Sequence, residues 1–147
     1  MKRILAAIDF SEETDLVITY ARQLTLEFKA KLCIVHCESI DYYISTSEFD
    51  EFPQTLDLRE SRMNVVKQKL KDLKADLKQG GLEVKSVLLE GPTAANIITE
   101  AEKFKADLII VGSHKHGKFY NLLVGSTHDA LIKQSKVPVL VIPPLEI

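Results

Sequence analysis

Long apolar runs are missing from this sequence: none approaches the roughly 18 residues of a membrane-spanning helix. The stretch Ile4 to Ile8 is stopped by Asp9, well short of the roughly 7–15 residue apolar region of a secretory signal. Glycine and proline are scarce, 6 and 5 of 147 residues, which excludes a collagen-like chain, and a 46% hydrophobic content excludes a wholly disordered one. Charge of one sign is missing too. With 19 basic and 21 acidic residues the formal net charge is −2, so no broad field draws in nucleic acid or an anionic membrane. The only cysteines, Cys33 and Cys37, lie in one apolar run. Four residues apart on a strand, they share a face but sit about 13 Å from one another, too far for a disulfide. Reduced thiols and the missing signal imply a cytoplasmic protein.

Catalytic signatures are also lacking. There is no Gly-x-x-x-x-Gly-Lys-Ser/Thr loop, no Gly-x-Ser-x-Gly elbow and no His-Glu-x-x-His pair. Asp9-Phe10-Ser11 occupies the turn where a dinucleotide-binding protein carries Gly-x-Gly-x-x-Gly. No base is in view to position an attacking water, so any ATP hydrolysis is expected to be slow.

What the sequence does have is alternation. Apolar runs at Arg3–Ile8, Lys31–Cys37, Glu83–Leu89, Asp107–Val111 and Pro138–Ile142 read as strands, several of them rich enough in Ile, Val and Leu to be buried on both faces. Between them lie helical patterns. The first opens with Ser11 as its N-cap, with Glu12 and Glu13 suited to the dipole, and carries Val17, Ala21, Leu24 and Phe28 as its apolar stripe. The second, Leu58 to Gln79, presents Met63, Val66, Leu70, Leu73 and Leu77 and stops at Gly80-Gly81. The third, Ala94 to Phe104, buries Ile97, Ile98, Ala101 and Phe104, and the fourth runs from Ser126 to Gln134. Strands alternating with helices predict an α/β fold with a parallel sheet covered by helices on both faces. The expectation is a single domain over residues 1–147, large enough to bury roughly 68–70% of its unfolded surface without disulfides or structural metal. The segment Ser39–Asp57 breaks the alternation. Acidic, with Tyr42, Tyr43, Phe49 and Phe52, it reads as a surface loop covering an edge or as a lid.

The most specific chemistry follows the fourth strand: Gly112-Ser113-His114-Lys115-His116-Gly117, then Gly125-Ser126-Thr127. Glycine lets a backbone approach an anion closely, and a helix N-terminus offers free N–H groups to phosphate. Ser126 and Thr127 add hydroxyls there, although Ser126 also suits a plain N-cap with Asp129 three residues on. His114 and His116 alternate with lysines in a loop that has no carboxylate or cysteine nearby, so they predict a solvated loop and no metal site. His36, inside an apolar strand, reads as a hydrogen-bonded core residue, and Asp9 is equally placed to cap the first helix.

Almost the whole chain resembles the universal stress protein family. The resemblance is carried by Ile4-Leu5-Ala6-Ala7-Ile8-Asp9-Phe10-Ser11, Val35-His36-Cys37, Glu90-Gly91-Pro92, Ala106-Asp107-Leu108-Ile109-Ile110-Val111-Gly112-Ser113, Leu122-Leu123-Val124-Gly125-Ser126-Thr127 and Val137-Pro138-Val139-Leu140-Val141-Ile142-Pro143. It implies a Rossmann-like open five-stranded sheet of order 3-2-1-4-5. It also implies an ATP site, with Mg2+, in which Asp9 and the backbone near Cys37 meet the adenosine. Gly112, Gly125, Ser126 and Thr127 then hold the phosphates. Nucleotide-binding members share Gly, two residues, Gly, nine residues, then Gly with Ser or Thr. Here Lys115 stands at the middle glycine. A left-handed lysine costs about 1–2 kcal/mol, whereas a charge-assisted contact to phosphate returns about 1.5–3 kcal/mol. The resemblance further implies a homodimer through the last strand, with Val139 and Val141 at the interface. The sequence thus predicts a nucleotide-dependent regulatory dimer. The alternative is a family member that binds no nucleotide and acts by dimerisation and protein–protein interaction.

Overall fold

β-Branched and leucine-rich runs separated by amphipathic segments give five strands and four helices among the described residues. The structure, a computed structural model, describes residues 1–38, 54–113 and 126–144, with the backbone alone at 54–57 and 126–129. In chain order the elements are β1 (Arg3–Ile8), α1 (Thr14–Phe28), β2 (Lys31–Glu38), α2 (Gln54–Gln79), β3 (Glu83–Glu90), α3 (Thr93–Phe104), β4 (Leu108–Gly112), α4 (Ser126–Gln134) and β5 (Val139–Ile142). The strands form one sheet of order β3-β2-β1-β4-β5, and every neighbouring pair is parallel. This is the Rossmann-like α/β arrangement, with the winding reversed between β1 and β4.

Alternation along the strands builds a core on each face. Ile4, Ala6, Ile8, Ile34 and Ile110 pack with Val17 and Ala21 of α1 and Val66, Leu70 and Leu77 of α2. Leu5, Cys33, Val35, Ile109 and Val111 pack on the other face with Ile97 and Ala101 of α3 and Leu131 of α4. The central strands are therefore buried on both sides, which explains their unbroken apolar runs. Both cysteines are free thiols.

Several expected boundaries move. β4 starts at Leu108, one residue after Asp107, whose carboxylate Oδ2 accepts from the backbone N–H groups of Lys2 and Arg3 at 2.7 and 2.9 Å. β5 starts at Val139, after Pro138, which has no N–H to give, although its carbonyl accepts from Ile109 N at 3.0 Å. α1 begins at Thr14 with Glu13 at the cap position and no side-chain cap bond there, so Ser11 is not its N-cap. Ser11 instead serves the preceding turn, its hydroxyl accepting from Glu13 N at 3.3 Å. Phe28 is 49% exposed, and the inward position of that last stretch is Thr25. α2 begins four residues before Leu58, at Gln54, so the end of the acidic aromatic segment is helical and its residues 39–53 lie outside the described residues. Among the described residues no helix is long and apolar enough to cross a membrane.

Candidate functional site

The sheet itself opens a crevice. β1 pairs with β2 up to Ile8↔His36, but with β4 only as far as Ala6↔Ile110, while β4 stays paired with β5 to Gly112↔Ile142. Beyond Ala6 the two central strands thus leave the shared ladder at their carboxyl ends. Ligands of open α/β sheets bind at this kind of reversal. The expected residues Asp9 and Gly112 stand on its two lips, following β1 and closing β4.

Asp9 is held by the turn that it organises. Its Oδ1 accepts from Ser11 N at 2.9 Å and from the Thr14 hydroxyl at 3.4 Å. The helix-capping role open to Asp9 in the sequence is not the one it takes, since α1 has no side-chain cap bond; its Oδ1 ties the turn before the helix, and the same bonds fix the carboxylate at the crevice. Between Asp9 and Ser11 the chain passes through Phe10 in the left-handed region, φ 59°, a conformation that costs a residue with a Cβ about 1–2 kcal/mol. Phe10 is held there by two contacts. Its ring lies 5.0 Å from the His36 ring, tilted by 57°, and Lys69 Nζ of α2 sits 5.4 Å from its centroid.

Gly112 is glycine for space, since it is absent from the positive-φ residues. A Cβ there would stand 2.8 Å from Glu13 Oε2 and 3.3 Å from Val17 Cγ2. The first residues of α1 therefore lie close over the end of β4, and a carboxylate borders the crevice. Ser113 follows, its N–H donated to the Ile142 carbonyl at 3.0 Å and its buried hydroxyl without a partner among the described residues.

Cys37 ends up beside the crevice on β2, with its side chain packed toward the α3–α4 face. Burial, with Glu100 adding to it, pushes its thiol up to about 12, and Cys33 rises to about 11 for the same two reasons. Neither sulfur is a ready nucleophile at neutral pH. Any role of Cys37 in holding a ligand falls to its backbone. Among the described residues no group of three or more His, Cys, Asp or Glu is placed to hold a metal ion.

Ser126 and Thr127 open α4. Because β4 and β5 are parallel, the helix between them runs back along the sheet, and its N-terminus belongs to the carboxyl edge where Asp9 and Gly112 lie. The side chains of Ser126 and Thr127, together with Lys115 and Gly125, lie outside the described residues. Val139 and Val141 sit on the sheet's outer strand, away from this site.

The reading of His36 as a hydrogen-bonded core residue holds; sequence reasoning missed Glu13, Phe10 and the partners that His36 finds above β2. His36 Nδ1 meets the Ile8 carbonyl at 2.8 Å and Nε2 meets Glu38 Oε1 at 2.6 Å. Glu38 in turn lies 3.7 Å from the Arg62 guanidinium, and Arg59 pairs with Glu90. The signal was present: a histidine and a glutamate two apart on a strand share one face.

Comparison with known proteins agrees with this architecture. The family model described as the universal stress protein family matches residues 1–143. Universal stress protein MJ0577 of Methanocaldococcus jannaschii is 26% identical, over 96% of this chain and 94% of that protein. A solved MJ0577 structure superposes with a TM-score of 0.76 over 99% of this chain and 98% of that one, at 28% identity. Universal stress protein A homolog 1 of Coxiella burnetii is 30% identical over 96% of this chain and 95% of its own length. A universal stress protein solved in complex with cAMP shares the fold, with a TM-score of 0.66, covering 97% of this chain and 96% of that one at 19% identity. A match along nearly its whole length, on the fold that its strands build, makes this chain a member of the universal stress protein family.

Proposed function

We propose that the chain is a cytoplasmic, single-domain regulatory protein that binds ATP at the carboxyl ends of β1 and β4 and works as a homodimer. The observation that carries this reading is the early end of the β1–β4 ladder at Ala6↔Ile110, with Asp9 on one lip and Gly112 on the other. Asp9, oriented by its own turn, accepts from the ribose hydroxyls, and the backbone at Cys37 meets the base. The N-terminus of α4, with Ser126 and Thr127, receives the phosphates together with Gly125, and Lys115 supplies a counter-charge. The Glu13 carboxylate against Gly112 disfavours a bare triphosphate, so the nucleotide is taken with Mg2+. A universal stress protein of this fold in complex with cAMP is in keeping with an adenine nucleotide.

A second reading has its own support: Lys115 at the motif's middle glycine and Glu13 against Gly112 both weigh against phosphate. In that reading the chain acts by dimerisation and protein contact alone. Calorimetric titration of nucleotide-stripped protein with Mg-ATP, with GTP as control, separates the two. Micromolar binding of ATP, about −8 kcal/mol, that falls at least tenfold in Asp9→Ala and Gly125→Val supports the nucleotide site. No heat and no thermal stabilisation at millimolar ATP leaves the second reading.

A further inference from the structure

The pair formed by His36 and Glu38 is buried, 3% and 8% exposed, directly behind the turn that carries Asp9. The Ile8 carbonyl has no proton to give, so His36 Nδ1 donates to it. At 2.6 Å the second nitrogen and the Glu38 carboxyl oxygen must also share a proton, because two bare acceptors repel at that distance. The pair thus holds one proton between its members and the ring cannot turn over. Arg62 at 3.7 Å keeps the Glu38 carboxylate in place from α2.

This fixed ring is the surface against which Phe10 rests, at 5.0 Å between centroids. Phe10 carries the left-handed φ that folds the chain back, so that Ser11 N reaches Asp9 Oδ1. Remove the ring and two restraints on the turn go together: the hydrogen bond to Ile8, one residue before Asp9, and the support under Phe10. We infer that His36, oriented by Glu38, is a positioning residue that sets the Asp9–Ser11 turn and with it the direction of the Asp9 carboxylate in the crevice. This rests on the reading of Asp9 as a ligand contact, but its structural half stands without any ligand.

The test therefore has two arms. In ligand-free protein, nitrogen-15 spectra of labelled histidine are expected to show His36 Nδ1 protonated, as its bond to the Ile8 carbonyl requires, and the Ser11 amide is expected to exchange slowly with solvent. His36→Leu fills the space but makes neither bond. It should raise Ser11 amide exchange at least tenfold while the remote amide of Asp107, which donates to Arg3 at 2.7 Å, keeps its protection. Glu38→Leu leaves Nε2 without its partner and should speed Ser11 exchange in the same direction. In the second arm, the same variants are titrated with Mg-ATP, and a tenfold or greater rise in dissociation constant is expected. Unchanged Ser11 exchange in both variants overturns the inference, as does unchanged ATP affinity where the parent binds. A parent that binds no ATP refutes the nucleotide site alone, and the amide exchange still decides the role of His36.

Discussion

At the scale of single residues, burial decides what the reactive side chains do. The two thiols are the clearest case, because β2 carries them into a sheet covered on both faces. With Cys37 pushed up to about 12 and Cys33 to about 11 from an ordinary 9.0, the thiolate fraction at pH 8 falls by on the order of a hundredfold or more. Alkylation by iodoacetamide should be slower than that of an unfolded control by at least that factor. Cys37→Ala should leave nucleotide affinity within about twofold, as expected if the backbone and not the sulfur meets a ligand. The same shifts predict an alkaline weakness. In the unfolded chain the thiols lose their protons above the ordinary value, while the folded chain keeps them. Stability from this source is therefore complete below pH 9.0 and declines as pH rises toward 11 and 12. Denaturant midpoints measured from pH 8 to 11 should fall more steeply for the parent than for Cys37→Ala.

At the scale of elements, helix α1 rides close on the end of β4, and that closeness has a measurable cost when disturbed. The carboxylate end of Glu13 can swing away from a new methyl at Gly112, but Val17 Cγ2, 3.3 Å from the position of a Cβ, belongs to the buried face of α1 and cannot. Gly112→Ala is expected to lower stability modestly, and Gly112→Val by about 1–3 kcal/mol through overpacking, measured by urea denaturation. Packing of this kind also marks where the sequence stopped being legible. Strand positions were readable to within a residue, because strands buried on both faces leave a continuous apolar trace. Helix starts were less so: α1 begins at Thr14 with Glu13, not Ser11, at the cap position, and α2 begins at Gln54, four residues before Leu58. The α1 stripe was read through Leu24, which packs on the core, to Phe28, which does not; the chain buries Thr25 there, a polar residue that periodicity of apolar side chains passes over. In the crevice, Asp9 and Gly112 were found from their place after strands one and four. Glu13 and Phe10 were not, because their role comes from a close approach between elements far apart in sequence.

At the scale of the whole molecule, a sheet of order β3-β2-β1-β4-β5 has two edges, and they are not equivalent. The β3 edge runs for eight residues but carries Glu83, Lys85 and Glu90, charges of the kind that guard an edge against pairing. The β5 edge is only Val139–Ile142 and has no charge within it. Val139 and Val141 rest half-buried on the α3–α4 core, and Leu140 on the other face is 36% exposed. Prolines on either side keep such a strand short, which limits open-ended growth while leaving room for one two-fold partner. A second copy adding its β5 antiparallel would join two sheets and cover Leu140. Sedimentation equilibrium at micromolar concentration should then give about twice the 16.5 kDa chain mass. Val141→Lys, whose long side chain can carry its charge out to solvent from a half-buried site, should shift the protein to monomer with its circular dichroism unchanged. Val87→Lys, on the guarded edge, should leave the dimer intact. If the two substitutions exchange effects, the copies meet through β3, and the charges there act as pairing partners and not as guards.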